Sequence, residues 1–137
     1  MMFKSSLTVL SLIAVVCGLL SFQNDELAKS IKRGQEVYST SCLTCHQENG
    51  QGLEGTFPPL AKADFLAKDK DGKKAIGVVL NGQNGEITVN GKKYNVEMPS
   101  QNFLTDEQIA DVLNYARNTW GNKGKLITPA MVKAERK

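Results

Sequence analysis

The chain has 137 residues with 3 Cys and 1 His, and its 17 Lys plus Arg against 14 Asp plus Glu leave a formal charge of +3. That is one domain's worth of sequence, too weakly basic for a nucleic-acid binder of this size, and its 41% hydrophobic and 23% charged fractions fit a folded globular protein rather than a disordered one. One His excludes a multi-histidine metal site, and three Cys with one His make at best a single four-ligand zinc site.

The first element is an export segment. After Lys4 no charge appears until Asp25, and Leu7 to Phe22 is apolar. Residues 1–23 read first as a cleaved secretory signal, with cleavage near Val16-Cys17-Gly18 or after Ser21. An uncleaved N-terminal anchor and a lipoprotein on Cys17 are the alternatives, the second weakened because Ala14-Val15-Val16 lacks the small residue expected before a lipidated Cys. Each reading sends the body of the protein outside the cytoplasm, to a periplasmic location, either free or attached to the membrane through its N-terminus.

From Asp25, an acceptable N-cap, the pattern is helical, with Leu27, Ile31, Gly34 and Tyr38 on one face. Gly34 costs about 1 kcal/mol against Ala within a helix, so its presence predicts another backbone packed close. Gly50, Gly52 and Gly55 predict a loop closed by Pro58-Pro59. The five Lys and three Asp of residues 62–74 read as a solvated surface. Lys73 to Leu80 predicts a helix with Ile76, Val79 and Leu80 inward, stopped at Asn81-Gly82. Asn90-Gly91 between Ile87-Thr88-Val89 and Lys92-Lys93-Tyr94 predicts a β-hairpin, because both turn residues must take positive φ. Thr105 and Gln108 form a capping box, Leu104 and Ile109 a hydrophobic staple, and Ile109, Val112, Leu113, Ala116 and Trp120 one apolar face, with Gly121 as the stop. Thr128-Pro129 opens a short helix in an exposed tail. The expected organisation is a domain over 24–121 and a tail over 122–137. The fold class is all-α with one small hairpin, and its modest core would gain from a large apolar group inside.

Cys42-Leu43-Thr44-Cys45-His46 is C-x-x-C-H, the attachment signature of c-type haem. Two thiols at this spacing add to the two vinyl groups of the porphyrin, and the next residue sets an imidazole under the iron. A thioredoxin-like dithiol expects a βαβ context that is absent, a zinc knuckle needs carboxylates as further ligands, and a lone disulfide leaves His46 unexplained. A second His ligand is excluded within the chain, so the sixth iron position falls to Met98, Met131, a lysine or nothing. Met98 stands out: it precedes Pro99, follows the hairpin, and lies far enough from His46 to reach the opposite haem face. Met131 falls in the tail helix, where a packing role is expected.

With these residues in place the chain resembles class I cytochrome c over residues 25–121. Gly34 and Tyr38 look like the family's glycine and aromatic on the N-terminal helix, with Val112 and Tyr115 their partners on the C-terminal helix. Phe57-Pro58-Pro59-Leu60 looks like the proline–x–leucine stretch; the resemblance implies that the Pro58 carbonyl accepts from His46 Nδ1 and that Leu60 packs on the ring. Met98-Pro99 looks like the distal-ligand segment. More narrowly, the stretches F-P-P-L, V-L-N-G and I-T-V-N-G-K-K-Y-N-V-E-M-P are similar to bacterial cytochrome c domains, including those that work with copper nitrite reductases or periplasmic dehydrogenases. Val96-Glu97 departs from that pattern, where a glycine and an apolar residue are common; an acid there would lower the potential somewhat.

The resemblance implies crossed N- and C-terminal helices around one covalent haem c. It implies a single-electron carrier rather than an enzyme, with no catalytic residue. Cys42, Cys45, His46, Pro58, Leu60 and Met98 would hold the cofactor, and His46 and Met98 the iron. The partners would be redox proteins, donor and acceptor. A haem-bearing subunit of a larger oxidoreductase is the alternative, followed by a sensor or peroxidase-like protein with an open sixth position. Lys92 and Lys93 are expected near the haem rim, either steering partners or simply solvated on the hairpin.

Overall fold

The computed structural model describes the backbone of residues 4–136 and the side chains of residues 22–136. The helices are α1 (Lys4–Ser41), α2 (Leu43–His46), α3 (Asp64–Lys68), α4 (Lys73–Asn81), α5 (Asp106–Ala116) and α6 (Pro129–Glu135). One antiparallel hairpin, β1 (Ile87–Val89) with β2 (Lys92–Tyr94), lies between α4 and α5. The cleavage and lipidation readings fall on side chains outside the described residues. Among the described residues no helix is long and apolar enough to cross a membrane.

Asp25 does not cap a helix. It lies inside α1, which runs on from Lys4, because no proline interrupts residues 4–41 and the hydrogen-bond ladder continues through that point. Further along the same helix Gly34 and Tyr38 are buried, and Leu27 and Ile31 are half-buried. Gly34 meets α5 as expected: a Cβ there would sit 1.9 Å from the Asp111 carbonyl oxygen and 2.9 Å from Tyr115 Cβ. Around this contact lies a buried polar network that the sequence did not announce. Ser30 Oγ donates to Asp111 Oδ1 (2.5 Å), and Arg33 grips the same carboxylate through Nε (2.7 Å) and Nη2 (2.9 Å). Asn114 Nδ2 donates to Ser30 Oγ at 2.8 Å. Its buried members, Ser30, Asp111 and Asn114, are all paired, so the desolvation penalty of burying them is offset.

The capping box of α5 is formed, with Gln108 N–H donating to Thr105 Oγ1 (3.1 Å) and Thr105 N–H donating to Gln108 Oε1 (2.9 Å). Leu104 and Ile109 are both buried beside it. The helix ends at Ala116, however, a turn before Trp120. Polar side chains take over its last carbonyls: Asn118 Nδ2 bonds Asn114 O (3.0 Å), Thr119 Oγ1 bonds Tyr115 O, and Asn122 Nδ2 bonds Ala116 O (2.7 Å). Trp120, at φ 52°, then turns its ring against Tyr38 and Tyr115, each with centroids 5.1 Å away.

The tail is not exposed. Ile127 and Val132 belong to the main core, and Met131 packs against it. Asn114 pins the segment through both of its amide atoms, accepting from Ile127 N (2.7 Å) and donating to Ile127 O (2.8 Å). Thr128 caps α6, with Pro129 in its first turn. Asp69, expected on a solvated surface, is buried as well. It accepts the N–H groups of Lys74 (3.3 Å) and Ala75 (2.9 Å) at the start of α4, and its backbone carbonyl accepts from the buried Arg117 (2.8 Å).

Candidate cofactor site

Between α2, the 57–60 stretch, α4, the hairpin and α5 lies an apolar cavity with about 1120 Å³ of empty space, part of it open to solvent. Its lining is almost wholly apolar, with few polar groups, so the cleft suits an apolar group rather than a charged one. Cys42, Cys45, His46, Pro58, Leu60 and Met98, drawn from three separate stretches of sequence, all line it.

A single helical turn arranges the first three. Cys42 N–H donates back to Tyr38 O (2.9 Å), and His46 N–H donates to Cys42 O (3.0 Å). The chain bends at Cys42, between α1 and α2, and the two thiols and the imidazole line one space. Both cysteines are free. Burial, then the neighbouring Cys45, pushes the Cys42 thiol up to about 11. A dithiol nucleophile needs the opposite shift, so the raised thiol disfavours the thioredoxin-like reading. Among the described residues no group of three or more His, Cys, Asp and Glu side chains could by itself hold a metal ion.

His46 is buried, and its Nδ1 lies 3.0 Å from the Pro58 carbonyl. A carbonyl can only accept, so Nδ1 carries the hydrogen and Nε2 keeps its lone pair. Burial lowers the His46 pKa, against the opposing Pro58 hydrogen bond, and favours the neutral ring that binds metals. The Pro58 contact also fixes the ring's orientation. Leu60 bridges the two core clusters at the cavity wall.

Met98 is held by contacts that sequence reading missed. Met98 and Gln83 exchange both backbone hydrogen bonds at 2.9 Å. Ser100 Oγ donates to Leu80 O (2.6 Å) and Gln101 N–H to Val79 O (2.8 Å), so the loop is stitched to the end of α4. Gly82 permits this approach, since a Cβ there would lie 2.5 Å from Met98 O. The Asn81-Gly82 stop signal marks the place, but nothing local names its partner. Ile87 and Val89 of the hairpin line the cavity beside Met98. Its two lysines are exposed but paired, Lys92 with Glu54 and Lys93 with Glu86 (2.9 Å).

The family model for cytochrome c matches residues 31–120. The chain is 40% identical to cytochrome c-552 of Thermus thermophilus, over 81% of this chain and 88% of that one. It is 34% identical to the gluconate 2-dehydrogenase cytochrome c subunit of Pantoea cypripedii, over 79% of this chain and 26% of that subunit. It is 26% identical to cytochrome c6 of Cyanidium caldarium, over 83% of this chain and 92% of that protein. The chain belongs to the cytochrome c family, whose members are electron carriers built on covalent haem c. The residues present fit that group: two free thiols, an imidazole whose Nδ1 is bonded to Pro58 so that Nε2 is free, and a thioether, all in the lining of one apolar cleft.

Proposed function

We propose that this protein is a single-haem electron carrier working outside the cytoplasm, with haem c bound through Cys42 and Cys45 and with His46 and Met98 as axial ligands. The placing of His46 and Met98 in the lining of one apolar cavity carries the reading. Bound haem c supplies a one-electron Fe(III)/Fe(II) couple. The chain's own residues do the rest. Pro58 holds the His46 tautomer that presents Nε2. Leu60 and the hairpin residues Ile87 and Val89 keep water from the cleft. The Gln83–Met98 bridge holds the soft, neutral thioether in place, which favours the reduced state and raises the potential. Residues 1–23 act as the export signal or anchor, and 24–121 as the haem domain, with 122–137 packed on it. The similarity across most of cytochrome c-552 supports a free carrier, and the gluconate dehydrogenase subunit supports the second reading, a haem-bearing subunit of a larger oxidoreductase. Both need redox-protein partners.

The test is Met98→Ala. The variant should keep its covalent haem, turn high-spin, lose potential and bind carbon monoxide readily when reduced, whereas the wild type binds it slowly. An unchanged potential, or rapid carbon monoxide binding by the wild type, overturns the ligand assignment.

A further inference from the structure

We infer that Arg136, at the far end of α6, is a positioning residue for Met98; this rests on Met98 being the distal ligand. The loop from Met98 to Leu104 is anchored at its start by the Gln83 bridge and by the bonds of Ser100 and Gln101 to α4. Its other end is exposed at Asn102 and at Phe103, which is 71% exposed, before the chain re-enters the core at the buried Leu104. Arg136 adds a second hold on this exposed stretch. Its Nη1 donates to Asn102 O (2.9 Å), its Nη2 to Leu104 O (2.5 Å), and its Nε to the Asp106 carboxylate (2.5 Å).

These three acceptors span the join between the loop and the first turn of α5. A planar guanidinium reaches three such directions at once, and a lysine ammonium on a single flexible stem does not. Because the donor is charged, each bond is stronger than its neutral counterpart. The strap has a fixed base, since Val132 is fully buried and Asn114 holds Ile127 by two bonds. The last helix therefore ties down the far end of the loop, and the segment that carries Met98 is held by two long-range anchors.

The experiment uses the haem-loaded full chain and native-state hydrogen exchange of single amides. Arg136→Ala should raise exchange at Met98 and Gln101, whose N–H groups bond Gln83 O and Val79 O, by about tenfold, while Leu113 in α5 stays unchanged. The variant should also bind carbon monoxide faster in the reduced state. Arg136→Lys should behave like Arg136→Ala, which separates fork geometry from charge. Ser30→Ala, which weakens the distant α1–α5 contact, serves as the control for a purely global effect. Wild-type exchange at Met98 and Gln101 in Arg136→Ala, or an equal rise in Ser30→Ala, overturns the strap. Failure of the ligand reading shows instead in Met98→Ala, whose potential would not move while Arg136→Ala still loosened the loop.

Discussion

Gly34→Ala tests the helix contact on which the fold depends, and intrinsic propensity and tertiary packing predict opposite signs for it. Alanine is favoured over glycine within a helix by up to about 1 kcal/mol, so α1 taken alone should gain. In the folded chain the new methyl would stand 1.9 Å from the Asp111 carbonyl oxygen and 2.5 Å from its carbon. The closest ordinary carbon–oxygen contact is about 3.3 Å, so α1 and α5 must part locally by about 1.4 Å. Asp111 is the residue that accepts from Ser30 at 2.5 Å and from Arg33 at 2.7 and 2.9 Å, so the same movement breaks the buried network. Overpacking costs about 1–3 kcal/mol and a lost buried hydrogen bond about 1–3 kcal/mol more. After the propensity gain, the net loss is about 1–5 kcal/mol, a sizeable share of the roughly 5–15 kcal/mol that holds a domain together. Gly77 in α4 is the matched control, because a Cβ there meets nothing within 4 Å. Chemical denaturation of the two haem-loaded variants, followed by far-ultraviolet circular dichroism, should show Gly34→Ala strongly destabilised and Gly77→Ala neutral or slightly stabilised. If Gly34→Ala matches Gly77→Ala, the close approach of the two helices is not what requires glycine.

Two further outcomes concern charge. The Asp64 carboxylate accepts from Asn90 N–H (2.8 Å) and Lys68 Nζ (2.6 Å), tying α3 to the hairpin turn, and the Asn90 bond, then Lys68, holds its pKa below the usual carboxylate value. A folded pKa depressed in this way contributes stability that is present above the unfolded value of about 3.9 and is lost as pH falls through the folded pKa. Asp64→Asn should therefore be less stable than wild type at neutral pH, the gap closing in acid; a gap of the same size near pH 2 would show that the charge plays no part. Lys92 and Lys93 are each paired with a glutamate, so their long-range fields are largely cancelled. Reduction by ferrocyanide should change less than about threefold between about 0.01 and 0.15 M ionic strength, and a steep decline would restore the hairpin lysines as steering charges.

Much of this protein is written locally. The C-x-x-C-H turn, the Thr105–Gln108 box, the Thr128-Pro129 start and the Asn90-Gly91 turn each depend on residues within one turn of one another, and the structure forms all four. Where only one side of a contact was local, half was legible: Gly34 announced a close neighbour and Gly82 a stop, but neither could name Asp111 or Met98. Pro58 and Leu60 came from the family likeness; the Pro58 carbonyl lies 3.0 Å from His46 Nδ1, and both residues line the cavity. Two of the misreadings share a cause. Asp69 looked solvated because its partner Arg117 is distant in sequence, and the tail looked exposed because the buried Asn114 that receives it lies on α5. Helix α5 seemed to run on to Trp120 because the apolar period continues that far, yet the side chains of Asn118, Thr119 and Asn122 take its carbonyls first. The sequence by itself determined the cofactor chemistry, the Thr105 and Thr128 caps and the hairpin turn, since spacing along the chain is enough to set them. Only the tertiary structure decided how Met98 is held, what Arg136 grips and which charges are buried, because a hydrogen bond between distant residues exists only once the chain has closed the space between them.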